Sequence, residues 1–508
     1  MRFAITACLI APLILSAQFG WLGRNDHFVP TATVAGIGVG RAELSDIELA
    51  RRAEQMIDSQ TFAILRDPQA LSGAERITGP KLTRIFEDAS RRSGLPASFI
   101  AAIAYLESWG RPDVQSSAGP KGIMQIAHAT AKSMGLQINY ATKYRQVTEK
   151  VQQRKKGSKK STPVTRTRKI PYTVLVRDER LMPEKAVPAA AMYLARLEQR
   201  YGGRDWAVWA YHCGEGCIAE VRGIADRARL KEPVTVSRVF FGANPARHVE
   251  LHRVIQKHMD RDYSPTYFFR IKRAEELLAV YKDDPSQFKK MFNEYRFRIN
   301  PDQRAPHRLT VWLKPDDLAY RTCEDMRREA GSSLVKALDD PKYFGFSLAA
   351  AIGQDDPKNR EYYLQASQAA IGTVAYIAWE TRRLHEAMKP KNEKFVPLEV
   401  ASLVRPLDRE ERTLDPKTEL PSHCSGQVFD LNVAALPSGE RDALEFVLSD
   451  LGFSGHLGFI RESASATFHI GAAPTARDFF ARVYREASTA REHAANVNGP
   501  TAGAENEF

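Results

Sequence analysis

Apolar positions recur at helical spacing through most of the first 300 residues of this chain. Phe99, Ile103 and Leu106 fall on one face of a helix predicted over 99–108, and Gly110 and Pro112 close it. Segments 44–65 and 80–93 carry the same period, and helices are predicted to dominate to about residue 262. A stripe of Tyr267, Phe268, Ile271, Ala274, Leu277 and Leu278 extends the helical pattern through 264–300 and reads as core packing. Another long helix is predicted over 362–388. After Lys394 the texture changes. Segments 395–404, 426–431, 455–460 and 466–470 are rich in β-branched and aromatic residues and predict short strands. The fold class is therefore multidomain, with an all-α domain followed by a smaller α+β domain. No internal repeat is present. Residues 24–43 are polar and glycine-rich and read as a tether, and the tail from about Asn496 has no periodicity.

At 508 residues, 43% of them hydrophobic, the chain can bury two or three cores. The net charge of +12 is local. Segment 143–169 holds eleven Lys or Arg against Glu149 alone, which accounts for ten of the twelve charges. A near-neutral remainder argues against nucleic acid as a partner. Gly157, Ser158, Ser161, Thr162 and Pro163 predict that this stretch is an insertion loop. It is either simply solvated or a patch for an anionic envelope polymer or lipid. At the start, Arg2 and the apolar stretch from Phe3 to Ala17 have the form of an export signal, with residues 1–22 as an uncleaved membrane anchor the alternative. Either places the protein in the periplasm or cell envelope. Setting Cys8 aside leaves Cys213, Cys217, Cys323 and Cys424. A local Cys213–Cys217 bridge is feasible, and four free buried thiols are the alternative.

Glu107 brings chemistry to the first domain. It follows Ile103 by four residues, so a carboxylate lies on or beside an apolar helix face. A carboxyl drawn out of water keeps its proton to higher pH and can deliver it to a leaving oxygen. Downstream come Gly119-Pro120-Lys121-Gly122-Ile123-Met124-Gln125, then Asp178-Glu179-Arg180, then Ala189-Ala190-Ala191-Met192-Tyr193-Leu194, then Ala210-Tyr211-His212-Cys213-Gly214. With Glu107-Ser108 these strings, in this order, resemble the soluble lytic transglycosylases that cleave peptidoglycan, over about residues 75–262. The resemblance implies a lysozyme-like fold and no cofactor. It also implies a single catalytic carboxylate, Glu107, that makes a 1,6-anhydro-muramyl end. Ser108, Met124, Gln125 and Tyr211 would support or bind the sugar. His212 departs from the usual Asn and reads as a structural histidine. Tyr263 and Tyr267 are both candidates for the family's late tyrosine.

A second site lies in the later domain. His423 and Asp430 stand seven positions apart around Gly426, and His469 follows on a predicted strand. Two imidazoles and a carboxylate form a donor set for zinc with an open position. Over about residues 340–475 the chain resembles the zinc D-alanyl-D-alanine carboxypeptidases and dipeptidases. Arg405 in Ser402-Leu403-Val404-Arg405 matches their transition-state arginine. The family's catalytic Glu, three residues before the last His, is Ala466 here. Glu462 is the nearest replacement. The readings are a peptidase with a relocated base, a metal-bound module for peptide stems, or a degenerate scaffold. His248 and His252, at i and i+4, lack the Glu placement of a zinc protease and predict a surface helix. Gly36-Ile37-Gly38-Val39-Gly40 lacks the strand–helix setting of a nucleotide loop.

The expected organisation is an export segment at 1–22, a transglycosylase-like domain at 44–262, a helical connection at 263–339, a peptidase-like domain at 340–475, and a helix with a tail at 476–508. The expected partner is peptidoglycan. The rivals are a hydrolytic muramidase or chitinase on the same fold, and a non-catalytic wall-binding protein.

Overall fold

The structure, a computed structural model, describes residues 27–31, 33–34, 43–154, 161–261, 264–297, 320–410, 422–462 and 466–497. The export segment 1–22, Cys8, Gly36–Gly40, Tyr263 and the tail beyond residue 497 lie outside the described residues.

The helical half gathers around Ala97–Ser108. Pro96 precedes this helix, and Trp109, in the left-handed region at φ 54°, caps it with its ring edge-on to Tyr105. Phe99, Ile100, Ile103 and Tyr105 are fully buried, each of the aliphatic or phenyl side chains contributing about 1.5–3 kcal/mol. The helix reaches the protein's surface at its start, where Ser98 is exposed, and again near its C-terminal end, at Leu106 and Glu107. The helices Tyr267–Asp283 and Pro285–Phe297, expected in a connecting region, belong to this domain. Tyr267, Ile271, Ala274, Leu277, Phe288 and Phe292 join the same apolar cluster as Phe99 and Ile103.

The basic stretch is not a loop. Ile138–Arg154 and Ser161–Asp178 form a long antiparallel ribbon, and only the connecting residues 155–160 lie outside the described residues. The turn residues near 157–163 dominate a local reading. The strands follow instead from the β-branched and aromatic residues on either side, Thr142, Tyr144, Val147, Thr148, Thr165, Thr167, Ile170, Thr173 and Val174. The helix Val249–Arg261 is not simply a surface helix. His252 is buried, its Nδ1 is 3.1 Å from the Ala243 carbonyl, and burial pushes its pKa down to about 4. His248 Nδ1 lies 3.0 Å from the Gly242 carbonyl, so both rings brace the preceding turn. Cys213 and Cys217 are joined in a disulfide, while Cys323 and Cys424 are in none.

The C-terminal half is a five-stranded sheet in the order Phe346–Leu348, Leu398–Ser402, Val428–Asn432, Thr467–Ala472, Leu457–Glu462. The first pair is parallel and the others antiparallel. Phe429, Leu431, Phe468 and Ile470 share a core with the buried helix Gln368–Met388. The helix Arg477–Val497 packs against that helix so closely that a Cβ on Gly372 would lie 1.9 Å from the Phe480 carbonyl oxygen. A boundary at 475 would therefore cut off Phe480, Val483 and Ala487, which belong to the core.

The expected tether is also part of this half. Phe28 is buried, its N–H donating to the Tyr343 carbonyl, and Tyr376 Oη accepts from the Val34 N–H. The two halves meet where Arg52, on the helix Asp46–Leu65, forms a buried ion pair with Asp450. Phe240 and Phe241 meet Phe453 beside it.

Candidate active site and candidate metal centre

Glu107 is half-buried at the end of its helix, and Tyr267 Oη donates a hydrogen bond to its Oε1. The His212 ring stacks on Tyr267, with centroids 4.1 Å apart and planes 25° from parallel. Burial raises the pKa of the Glu107 carboxyl. His212 and the Tyr267 hydrogen bond draw it down, and the net direction is upward. Of the two candidate late tyrosines, Tyr267 meets the carboxyl while Tyr263 lies outside the described residues, and His212, read as structural, stacks on Tyr267 beside the carboxyl. The phenols of Tyr211 and Tyr267 are both pushed well up by burial and by Glu107, so they stay protonated donors.

Behind the carboxyl, the glycine loop is wired to the helix. Ser108 is buried, and its hydroxyl bonds the Ala104 and Ile123 carbonyls at 3.0 and 2.9 Å. Tyr211 Oη donates to the Met124 carbonyl at 2.7 Å. Met124 is fully buried. Gln125 sits at φ 44°, a strained value that costs about 1–3 kcal/mol. Its side-chain amide donates to the Val114 and Gly122 carbonyls at 3.2 and 2.9 Å, which offsets the strain. Ser108 and Met124 thus support the site from beneath, whereas Tyr211, Tyr267 and His212 surround the carboxyl. Gly122 is required: at φ 80° a Cβ there would lie 1.8 Å from the Arg180 carbonyl oxygen. Arg180 in turn pairs with Asp178 at 2.9 and 2.7 Å and reaches the Ile126 carbonyl at 3.3 Å, which explains the Asp178-Glu179-Arg180 string.

In the second half, strand register assembles the other cluster. Asp430 pairs with His469 across one strand boundary and with Ser402 across the other. His469 Nδ1 lies 2.7 Å from Asp430 Oδ1, and His423 Nε2 lies 3.2 Å from Oδ2. One ligand atom from each of the three residues lies within 4.8 Å of the others, all three residues buried. His423 Nδ1 is 2.7 Å from the Leu403 carbonyl, which fixes that nitrogen as the donor and leaves Nε2 as a ligand atom. Ser422 Oγ holds His469 Nε2 at 2.9 Å, leaving Nδ1 inward. The donor set therefore fits a divalent cation. Burial alone would raise the Asp430 pKa, but the two imidazoles outweigh it and hold the carboxyl well below its ordinary range. Arg405 borders the cluster, with a guanidinium nitrogen 3.5 Å from Asp430 Oδ2. Glu410 was not foreseen. It is buried and accepts the backbone N–H groups of Ser422, His423 and Cys424 at 3.0–3.2 Å, clamping the turn that carries His423. Ala466 occupies the expected base position at φ 52°, and Glu462 closes the adjacent strand.

Residues 84–159 and 161–232 match the family described as Transglycosylase SLT domain, so the helical half carries that domain. Over 133 residues, 26% of this chain, there is 29% identity to Peptidoglycan transglycosylase gp16 of Escherichia phage T7. Over 204 residues, 39% of this chain, there is 24% identity to Membrane-bound lytic murein transglycosylase F 2 of Alkalilimnicola ehrlichii (strain ATCC BAA-1101 / DSM 17681 / MLHE-1). The chain spans 8% of the first relative's length and 33% of the second's.

Proposed function

We propose that this chain is an exported peptidoglycan lytic transglycosylase whose second half recognises the peptide stems of the same polymer. The observation that carries the first part is the pairing of Glu107, within the SLT match, with Tyr267 on a helix that follows it. The groups that bear on the carboxyl among the described residues are Tyr267, His212 and Tyr211, none of them a second carboxylate. In the proposed reaction, Glu107 gives its proton to the oxygen between MurNAc and GlcNAc as the C1–O bond breaks. The N-acetyl oxygen shields the developing charge. Tyr267 and His212 then stabilise the carboxylate, which takes the proton of the muramyl C6 hydroxyl as that oxygen closes on C1. Glu107 ends protonated, and no water is consumed. A hydrolase would need another acid to activate water.

Mass spectrometry of fresh digests of purified peptidoglycan is the test. Products ending in 1,6-anhydro-MurNAc are expected. Reducing muramic ends would replace this reading with the hydrolytic one. A pH prediction follows from the same geometry. The acid must be protonated for the first step, so activity is present below the Glu107 pKa and lost as pH rises through it. Replacing His212 by Asn removes a group that draws this pKa down, so the alkaline limb of kcat/KM should move to higher pH. A limb that stays in place or moves down would show that His212 exerts no charge on Glu107.

For the second half, His423, Asp430 and His469 would hold a divalent cation, zinc by donor type. When bound, that cation would supply Lewis acidity toward a peptide carbonyl. Arg405 would hold a stem carboxylate beside it. With Ala466 at the base position, binding is favoured over turnover. In the envelope, the basic ribbon would add an anionic partner. Among the described residues no helix is long and apolar enough to cross a membrane.

A further inference from the structure

The ribbon Ile138–Asp178 has no counterpart in the reaction just described, yet it grows out of the active-site loop. The Glu179 N–H donates to the Gln137 carbonyl at its root. Asp178 is bound by Arg180, which reaches the carbonyl of Ile126 in the glycine loop. Lys121, within that loop, lies 3.9 Å from Asp178. From this root a 17-residue strand runs outward, about 55 Å at the usual rise per residue. Two-stranded ribbons that bury nothing are marginal in water. Here Tyr140, Tyr144, Tyr172, Leu175 and Val176 are all exposed.

Register sorts the ribbon into two unequal faces. Lys143 pairs with Tyr172, Arg145 with Ile170, Val147 with Arg168, and Glu149 with Arg166. Alternation puts these eight residues on one face. The 2.7 Å Glu149–Arg168 ion pair lies on that face as well. It carries four cations and one acid, in successive rungs about 7 Å apart that lead away from the glycine loop. The opposite face, with Tyr144, Gln146, Thr148 and Lys150 against Pro171, Lys169, Thr167 and Thr165, carries two cations among uncharged residues.

We propose that the Lys143/Arg145/Arg166/Arg168 face is a docking strip for the carboxylate-bearing glycan itself, holding the polymer in line with the Glu107 site. The proposal rests on the peptidoglycan reading above and names how that site captures an extended substrate. Two observations favour the polymer over a lipid surface. The strip is continuous with the glycine loop that is bonded to the Glu107 helix. Its cations also alternate with single apolar residues, whereas a membrane-lying element presents a continuous apolar face. Tyr172, beside Lys143 at the root, offers a ring for a sugar.

The test uses the full chain with Glu107→Gln, so that binding is read without cleavage, pelleted with purified peptidoglycan over a salt series. Lys143→Gln/Arg145→Gln/Arg166→Gln/Arg168→Gln should weaken pelleting by about tenfold or more and flatten its salt dependence. Lys150→Gln/Lys169→Gln should leave most of it. With Glu107 restored, the fourfold variant should cleave short soluble glycan fragments at the parental rate. Equal loss from both faces, or no loss from either, overturns the strip. Ribbon-dependent binding to phosphatidylglycerol vesicles with none to peptidoglycan overturns it in favour of lipid. A parental protein that cleaves no glycan, yet pelleting through the first face alone, would sink the enzymatic reading and leave the strip standing.

Discussion

Replacing Glu107 with Gln is expected to remove glycan cleavage while leaving the protein folded. Gln keeps the shape of the side chain, and its amide oxygen can still accept the Tyr267 hydroxyl. It cannot carry a proton in either direction. General acid–base assistance is typically worth about 10²–10⁴-fold, and here one group serves both halves of the reaction, so the loss should reach the upper end of that range. Stability should change little, because the substitution replaces an ionisable group that burial already disfavours as an anion. Turbidity clearing of peptidoglycan suspensions gives the rate, and a thermal melt gives the control. Activity above a few per cent in a variant that melts like the parent would mean that the proton comes from another group.

The second large effect concerns the cation. Full-length protein purified without chelator should contain about one zinc per chain, and His423→Ala should lose it. The geometry argues that this variant will still fold. The variant loses the imidazole's contacts to Leu403 and Asp430 but keeps the three backbone N–H groups on Glu410 that clamp the turn around residue 423. Losing an outer-shell partner costs a metal site about 10–100-fold, and losing a ligand should exceed that. Linkage gives an independent readout. Zinc at a hundred times its Kd should stabilise the parent by about 2.7 kcal/mol and leave the variant unmoved. A metal-free parent whose melt ignores zinc would rule the site out. If zinc is present, cleavage of D-Ala-D-Ala peptides should be slow, and Ala466→Glu should raise it. Robust parental cleavage that disappears in Glu462→Gln would show that the base has moved to Glu462.

Local patterning made much of this architecture readable. The period of Phe99, Ile103 and Leu106 placed the Glu107 helix, and strand texture located 398–402, 428–432, 457–462 and 467–472 to within a few residues. What stayed hidden depends on contacts distant in sequence. Tyr267 meets Glu107 across 160 residues, so nothing near either one signals the pair. Glu410 acts through backbone groups, which leave no trace in side-chain identity. Phe28 looked like one aromatic residue in a polar tether because its partner, Phe344, comes far later in the sequence. The ribbon was missed for the opposite reason. Its turn residues and charges are strong local signals, and they masked a weaker alternation on both sides.

The docking of residues 27–34 on the C-terminal half also sets an order of events during synthesis. Thr31 finds its partner carboxylate on Glu486, 455 residues later, with hydrogen bonds of 2.6 and 2.9 Å. At about 5–20 residues per second, the ribosome takes roughly 20–90 s to make the intervening chain. The helical half has all its own packing partners long before then. Until Tyr343, Phe344 and Tyr376 are made, Phe28 and Val34 stay in water, and Thr31 waits longer still for Glu486. A message cut short before residue 343 therefore yields a helical half whose leading segment has nowhere to settle.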